Sequence, residues 1–129
     1  MVNSHDQAPP DVAPIRLSFD VPIFQKTYET YKTFYQYLIH FPKKDRYTLG
    51  QRGENALLDL LESIIQASQL SKAEKLPILQ KASIKLDQMK VFVRLYKDLK
   101  ILDNKKYLSL EASLQEIGKM LGGWIKSST

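Results

Sequence analysis

Lys90, Arg94 and Lys97 are spaced four and three residues apart, so on a helix they share one face. Cations aligned in this way do one kind of chemistry well: they attract phosphate oxygens without reading bases. A second cluster, Lys43, Lys44 and Arg46 with Arg52, meets only Asp45 within residues 42–52, a net charge of +3. Residues 71–100 carry eight Lys and Arg against Glu74, Asp87 and Asp98, a net of +5, whereas Glu54, Asp59 and Glu62 leave residues 53–70 at −3. At roughly 100° per residue the Lys90 stripe lies opposite Val91, Leu95 and Leu102, which the pattern assigns to the core. A solvated helix face would show a similar stripe. Two clusters of one sign make phosphate binding the reading to set beside it.

Residue types for other chemistry are absent or badly spaced. Without Cys there are no disulfides, thiolate metal sites or Cys nucleophiles. His5 lies near the N-terminus and His40 at a helix end. Neither belongs to an HExxH pair, and no phosphate loop or Ser–His–acid set accompanies them. Glu54, Asp59 and Glu62 read as solvated acids, because metal-binding bundles use Glu-x-x-His pairs and none occurs. The expectation is a protein that is not an enzyme and uses no metal or cofactor.

The elements that must position these cations are helical. The chain has 129 residues, a net charge of +5, 43% apolar and 26% charged residues, ordinary values for one globular domain with a real core. No apolar run approaches the roughly 20 residues of a membrane span. The N-terminus shows neither the basic start nor the apolar stretch of a signal peptide, so a cytoplasmic protein is expected. Pro9, Pro10 and Pro14 mark residues 1–20 as a flexible arm, with Ile15, Leu17 and Phe19 alternating near its end. Residues 21–129 form the domain.

Within it the apolar period predicts four helices, near 21–41, 46–70, 72–102 and 109–126, in an antiparallel up-down bundle. Asp20 is the expected first N-cap. The face of the first helix is Phe24, Tyr28, Tyr31, Tyr35 and Leu38, and Pro42 ends that helix. The second helix buries Leu49, Ala56, Leu57, Leu60, Ile64 and Ala67, with Gly50 and Gly53 serving close packing or a shifted start. Ser71 with Glu74 forms a capping box for the third, whose apolar face is Ile84, Val91, Phe92, Leu95, Leu99 and Leu102. Asp103, Asn104 and the lysines after them read as a turn before Ser109 caps the fourth helix, which runs through Leu114, Ile117, Leu121, Trp124 and Ile125. Tyr28, Tyr31, Phe34, Tyr35 and Tyr37 exceed the needs of one small core and hint at a subunit interface. Gly118 and Gly122, one turn apart, imply tight packing at the tail.

Three segments carry a resemblance: FPKKDRYTLG at 41–50, LDQMKVFVRLYKDLK at 86–100 and EIGKMLGGWIKSS at 116–128. Through them the chain resembles the accessory variability determinant (Avd) proteins of diversity-generating retroelements, over about residues 21–128. The tail is the most specific segment, and Lys90 and Arg94 match paired basic positions of that family's third helix. The resemblance implies an all-α four-helix bundle assembling into a barrel-like homopentamer with a positive surface. It implies a non-catalytic factor that binds the element's reverse transcriptase and its template-repeat RNA, with RNA–DNA hybrid as a further candidate, during mutagenic copying and retrohoming. The nucleic-acid contacts would fall to Lys90, Arg94, Lys97, Lys43, Lys44 and Arg46. The alternative is a structural oligomeric adaptor of the ribosomal RNA intervening-sequence type, whose charge serves solubility.

Overall fold

A computed structural model describes residues 21–129. The arm at 1–20, with Asp20 and the alternation at 15–19, lies outside the described residues. Among those described, every element is helical: α1 Pro22–Leu38, α2 Lys43–Arg46, α3 Leu49–Ala67, α4 Lys72–Asp98 and α5 Asn104–Ser127. The four long helices form a square bundle in which α1 and α4 each pack against both α3 and α5. Successive long helices reverse direction across short connections, so all four neighbouring pairs are antiparallel. No described helix is long and apolar enough to cross a membrane.

Local chemistry sets the helix ends. Ser71 Oγ accepts the Glu74 N–H at 3.3 Å, and the Glu74 carboxylate accepts the Ser71 N–H at 3.2 Å, so the expected capping box is present. The Ser71 hydroxyl also donates to the Glu74 carboxylate at 2.8 Å, and this bond first, then that from the Ser71 N–H, holds the Glu74 carboxyl below its ordinary pKa. Helix α4 runs unbroken through Pro77. Four boundaries differ from the sequence expectation. The first N-cap is Val21, which makes no side-chain cap bond. Residues 43–46 form a separate short turn ahead of α3. Asp103, not Ser109, caps α5, its Oδ1 accepting the Lys106 N–H at 2.8 Å. The expected turn at 104–106 is therefore the first turn of α5. Helix α4 stops at Asp98, because Lys100 adopts a left-handed φ of 61° and closes the helix.

Two apolar faces differ from those expected. On α1 the buried residues are Ile23, Phe24, Thr27, Thr30, Phe34 and Leu38, while Tyr28 and Tyr35 stay exposed. The threonines look polar in sequence, but their hydroxyls donate back to the Ile23 and Lys26 carbonyls at 2.8 and 2.6 Å and bury at little cost. On α4 the buried stripe is Leu79, Ala82, Leu86, Met89, Val93 and Tyr96, whereas Ile84, Val91 and Leu99 are more than half exposed. Helix α4 carries two apolar stripes, and the core takes the one spaced three and four throughout. Helix α3 buries Ala56, Leu57, Leu60, Ile64 and Ala67 as read from sequence, with Gly50, Gly53 and Ser63 added, while Leu49 is only partly buried.

Gly53 is small for a steric reason. A Cβ there would come within 2.1 Å of the Tyr96 hydroxyl. That ring cannot step aside: it is fully buried, stacks on Phe34 with centroids 6.0 Å apart, and meets Phe41 edge-on at 5.0 Å. Its hydroxyl donates to the Leu49 carbonyl at 2.6 Å. Gly53→Ala should therefore destabilise the protein by about 1–3 kcal/mol despite the helix propensity gained. Tyr96→Phe alone leaves the Leu49 carbonyl without this donor and should cost about 1–2 kcal/mol. The double variant should be less destabilised than the two costs combined, as denaturant midpoints would show.

Tyr31 ties α1 to α3 by donating to the Glu54 carboxylate at 2.8 Å. Burial first, and then this bond, push the Tyr31 hydroxyl from 10.0 up to about 12. A folded value raised above the unfolded one gives stability that is complete below the unfolded value and lost as pH rises through the folded one. Between pH 10 and 12 the unmodified protein should lose stability more steeply than Tyr31→Phe, which has no proton to release. Denaturant titrations at stepped pH would measure the difference.

Candidate nucleic-acid interface

Alternation of helix direction brings the C-terminal ends of α1 and α4 and the N-terminal ends of α3 and α5 to one pole of the bundle. Residues 40–52 and 94–106 meet there. They contribute nine Lys and Arg against Asp45, Asp98 and Asp103, a net of +6 where the whole chain carries +5. The ten cations and eleven acids elsewhere nearly cancel. In the body of the bundle several cations are paired: Lys26 with Glu116 at 3.1 Å, Lys32 with Glu29 at 3.5 Å and Lys85 with Asp59 at 3.4 Å. At the pole Lys43, Lys44, Lys100 and Lys105 form no ion pair among the described residues.

The six residues singled out from sequence divide by environment. Lys43 and Lys44 are exposed on α2 at the pole. Arg46 is half-buried; its Nη2 donates to the Ile39 carbonyl at the end of α1, and its guanidinium lies 5.8 Å from the Tyr47 ring centre. Arg46 thus satisfies an orphan carbonyl of a helix terminus and gives α2 its position. Lys90, Arg94 and Lys97 do share one side of α4, but they border the buried stripe on its α5 side and do not lie opposite it. Lys90 reaches over Gly118 of α5, its Nζ 3.5 Å from where a Cβ there would stand. Lys97 sits 4.6 Å from the Tyr107 ring centre. Arg94 Nε donates to Asp98 at 3.1 Å, which raises its pKa and neutralises part of its charge. Tyr107 in turn donates to Glu111 at 2.8 Å, and that bond raises the pKa of its hydroxyl.

The three cations therefore line the seam between α4 and α5 and run up it to the pole. Gly118 and Gly122 lie along the same seam. A Cβ at Gly118 would stand at an ordinary 3.5 Å from Leu86 and Lys90, and one at Gly122 would meet nothing within 4 Å, so among the described residues the tight packing expected of this pair is not made. Sequence reading leaves out Lys105 and Lys106, which it assigns to a turn, and His40, which it treats as an isolated helix-end residue. Residues 53–93 separate the two halves of the pole, and no local pattern joins them.

Among the described residues no group of three or more His, Cys, Asp or Glu is placed to hold a metal ion. A chain with this seam and pole can hold polyanions by charge, with contacts falling mainly on phosphate. A family model described as bAvd-like matches residues 22–128, nearly the whole described region. No curated protein matches the chain.

Proposed function

Because the chain belongs to the bAvd-like family, we propose that it is a non-catalytic accessory factor of a diversity-generating retroelement. Its role is to hold the element's template-repeat RNA, and the RNA–DNA hybrid that copying produces, for the element's reverse transcriptase. The observation that carries this reading is the net +6 gathered at one pole of a bundle whose remaining charges nearly cancel. Solubility alone requires no such separation, whereas a polyanion is attracted to it. The phosphate contacts belong to Lys90, Arg94 and Lys97 along the seam and to Lys43 and Lys44 at the pole, with Arg46 supporting the turn that presents them.

RNA affinity measured over a salt series tests this reading. Removing one phosphate-binding cation should flatten the slope of log affinity against log salt by about 1. The variant Lys90→Ala with Arg94→Ala should bind RNA more weakly with a flatter slope, at unchanged helicity and oligomeric mass. Arg94 already shares its charge with Asp98, so Lys90 should account for more of the change. Equal affinity and slope in the variant would favour the structural-adaptor alternative for this face.

The reading includes assembly into a closed homopentamer, a number that comes from family resemblance. A ring needs two different faces that complement each other. Helices α1 and α4 are diagonal in the square, so their outer faces point in opposite directions. Each bears exposed apolar side chains: Ile84 at 58% and Val91 at 65% on α4, Tyr35 at 48% and Ile39 at 41% at the end of α1. A cyclic assembly repeats the cationic pole on every subunit and so multiplies a modest attraction. Light scattering should give five times the chain mass for the unmodified protein. Ile84→Glu with Val91→Glu should lower that mass while leaving helicity intact.

A further inference from the structure

We propose that the depression between the end of α1, the α4–α5 connection and the first turn of α5 is a binding site for a polyphosphate group. The 5′ triphosphate of an RNA and a free polyphosphate share that chemistry. The depression holds about 560 Å³ and is lined by Tyr37, His40, Lys97, Lys100, Asp103 and Lys106. Three lysines from two helices and the connection between them thus converge on one hollow.

Two of these lysines are held without being neutralised. Lys106 Nζ lies 5.3 Å from the Tyr37 ring centre, and Lys97 Nζ 4.6 Å from that of Tyr107. A ring face orients an ammonium group and leaves its charge available, which a carboxylate partner would not do. None of the three lysines forms an ion pair among the described residues. The single acid of the lining, Asp103, is engaged as the N-cap of α5 through the Lys106 N–H.

The third lysine occupies a position that favours another residue. The Ile101 N–H donates to the Tyr96 carbonyl at 2.8 Å, and the Lys100 N–H to the Lys97 carbonyl at 2.9 Å. This is the paired closure of a helix C-terminus whose left-handed residue is most often Gly. Here that residue is Lys100, at φ 61°. Gly would adopt this conformation without the crowding a Cβ brings, so the backbone gains nothing from a lysine. Lys100 does line the hollow and so brings a third lysine to it. The charge count selects the ligand. A diester phosphate carries one negative charge, a terminal phosphate about −1.5 to −2 at pH 7, and a polyphosphate more. Three lysines around one hollow match the last of these best.

That an RNA end supplies the group rests on the nucleic-acid reading above; the site itself does not. Lys100→Gly suits the test because it removes the cation while relieving the backbone, so the variant should fold at least as well as the parent. Titration calorimetry with sodium tripolyphosphate at low salt should show binding to the unmodified protein, weakened about tenfold in Lys100→Gly and similarly in Lys106→Gln. No binding, or binding unchanged in both variants, would overturn the proposal. A second arm uses one short RNA bearing either a 5′ triphosphate or a 5′ hydroxyl. Tighter binding of the triphosphate form than of the hydroxyl form, with that advantage lost in Lys100→Gly, identifies the RNA end as the source. Equal binding of the two forms, with tripolyphosphate still bound at the site, identifies a free polyphosphate. Failure of both RNAs to bind would count against the nucleic-acid reading and leave the tripolyphosphate result to decide the site.

Discussion

At the cationic end of the bundle the Tyr96 ring fills the space between three other segments. It stacks on Phe34 of α1, meets Phe41 beyond that helix edge-on, and passes its hydroxyl over Gly53 to the Leu49 carbonyl of α3. Phe34 and Phe41 close the triangle edge-to-face at 6.1 Å. Such ring pairs add about 0.5–1.5 kcal/mol each beyond the area they bury. Burial drives the Tyr96 hydroxyl above its ordinary pKa, so it remains a donor at any physiological pH. The arrangement requires Gly53, because the hydroxyl occupies the space where any side chain at that position would begin.

The position of this aromatic knot bears on function. Nine cations meeting at one pole repel one another, and a bundle held only by its middle would relieve that repulsion by fraying. Tyr96 links α4 to α1 and α3 inside the pole, and Arg46 fastens α2 to the Ile39 carbonyl just past α1. The exposed lysines therefore stand on a rigid base. A polyanion bound there would lower the repulsion further, so ligand and fold should stabilise each other.

The seam between α4 and α5 joins pole and body. Lys90, Arg94 and Lys97 climb it beside Gly118, which Leu86 and Lys90 cover, while Gly122 one turn on meets nothing within 4 Å among the described residues. Tyr107 stands within it, donating to Glu111 while its ring holds Lys97. The proposed RNA contacts follow this edge of the molecule, whereas the faces proposed for assembly, at Ile84 and Val91 on α4 and at Tyr35 and Ile39 on α1, lie elsewhere.

Much of this was legible in the residues themselves. Helical period, capping residues and turn signals determine that the chain is all-helical, that it has four long helices, and that α3 buries Leu57, Leu60 and Ile64. The spacing of Lys90, Arg94 and Lys97 determines that they share a side. Sequence could not determine which of two apolar stripes on α4 enters the core, because Ile84 and Val91 are as apolar as Leu86 and Val93, and only neighbouring helices choose between them. Nor could it show that Thr27 and Thr30 bury, since their hydroxyl bonds exist only once the helix has formed. The pole is a tertiary fact in the same sense. Residues 40–52 and 94–106 are separate stretches of modest charge until antiparallel packing sets their ends side by side, and electrostatic attraction depends on distance in space, not along the chain.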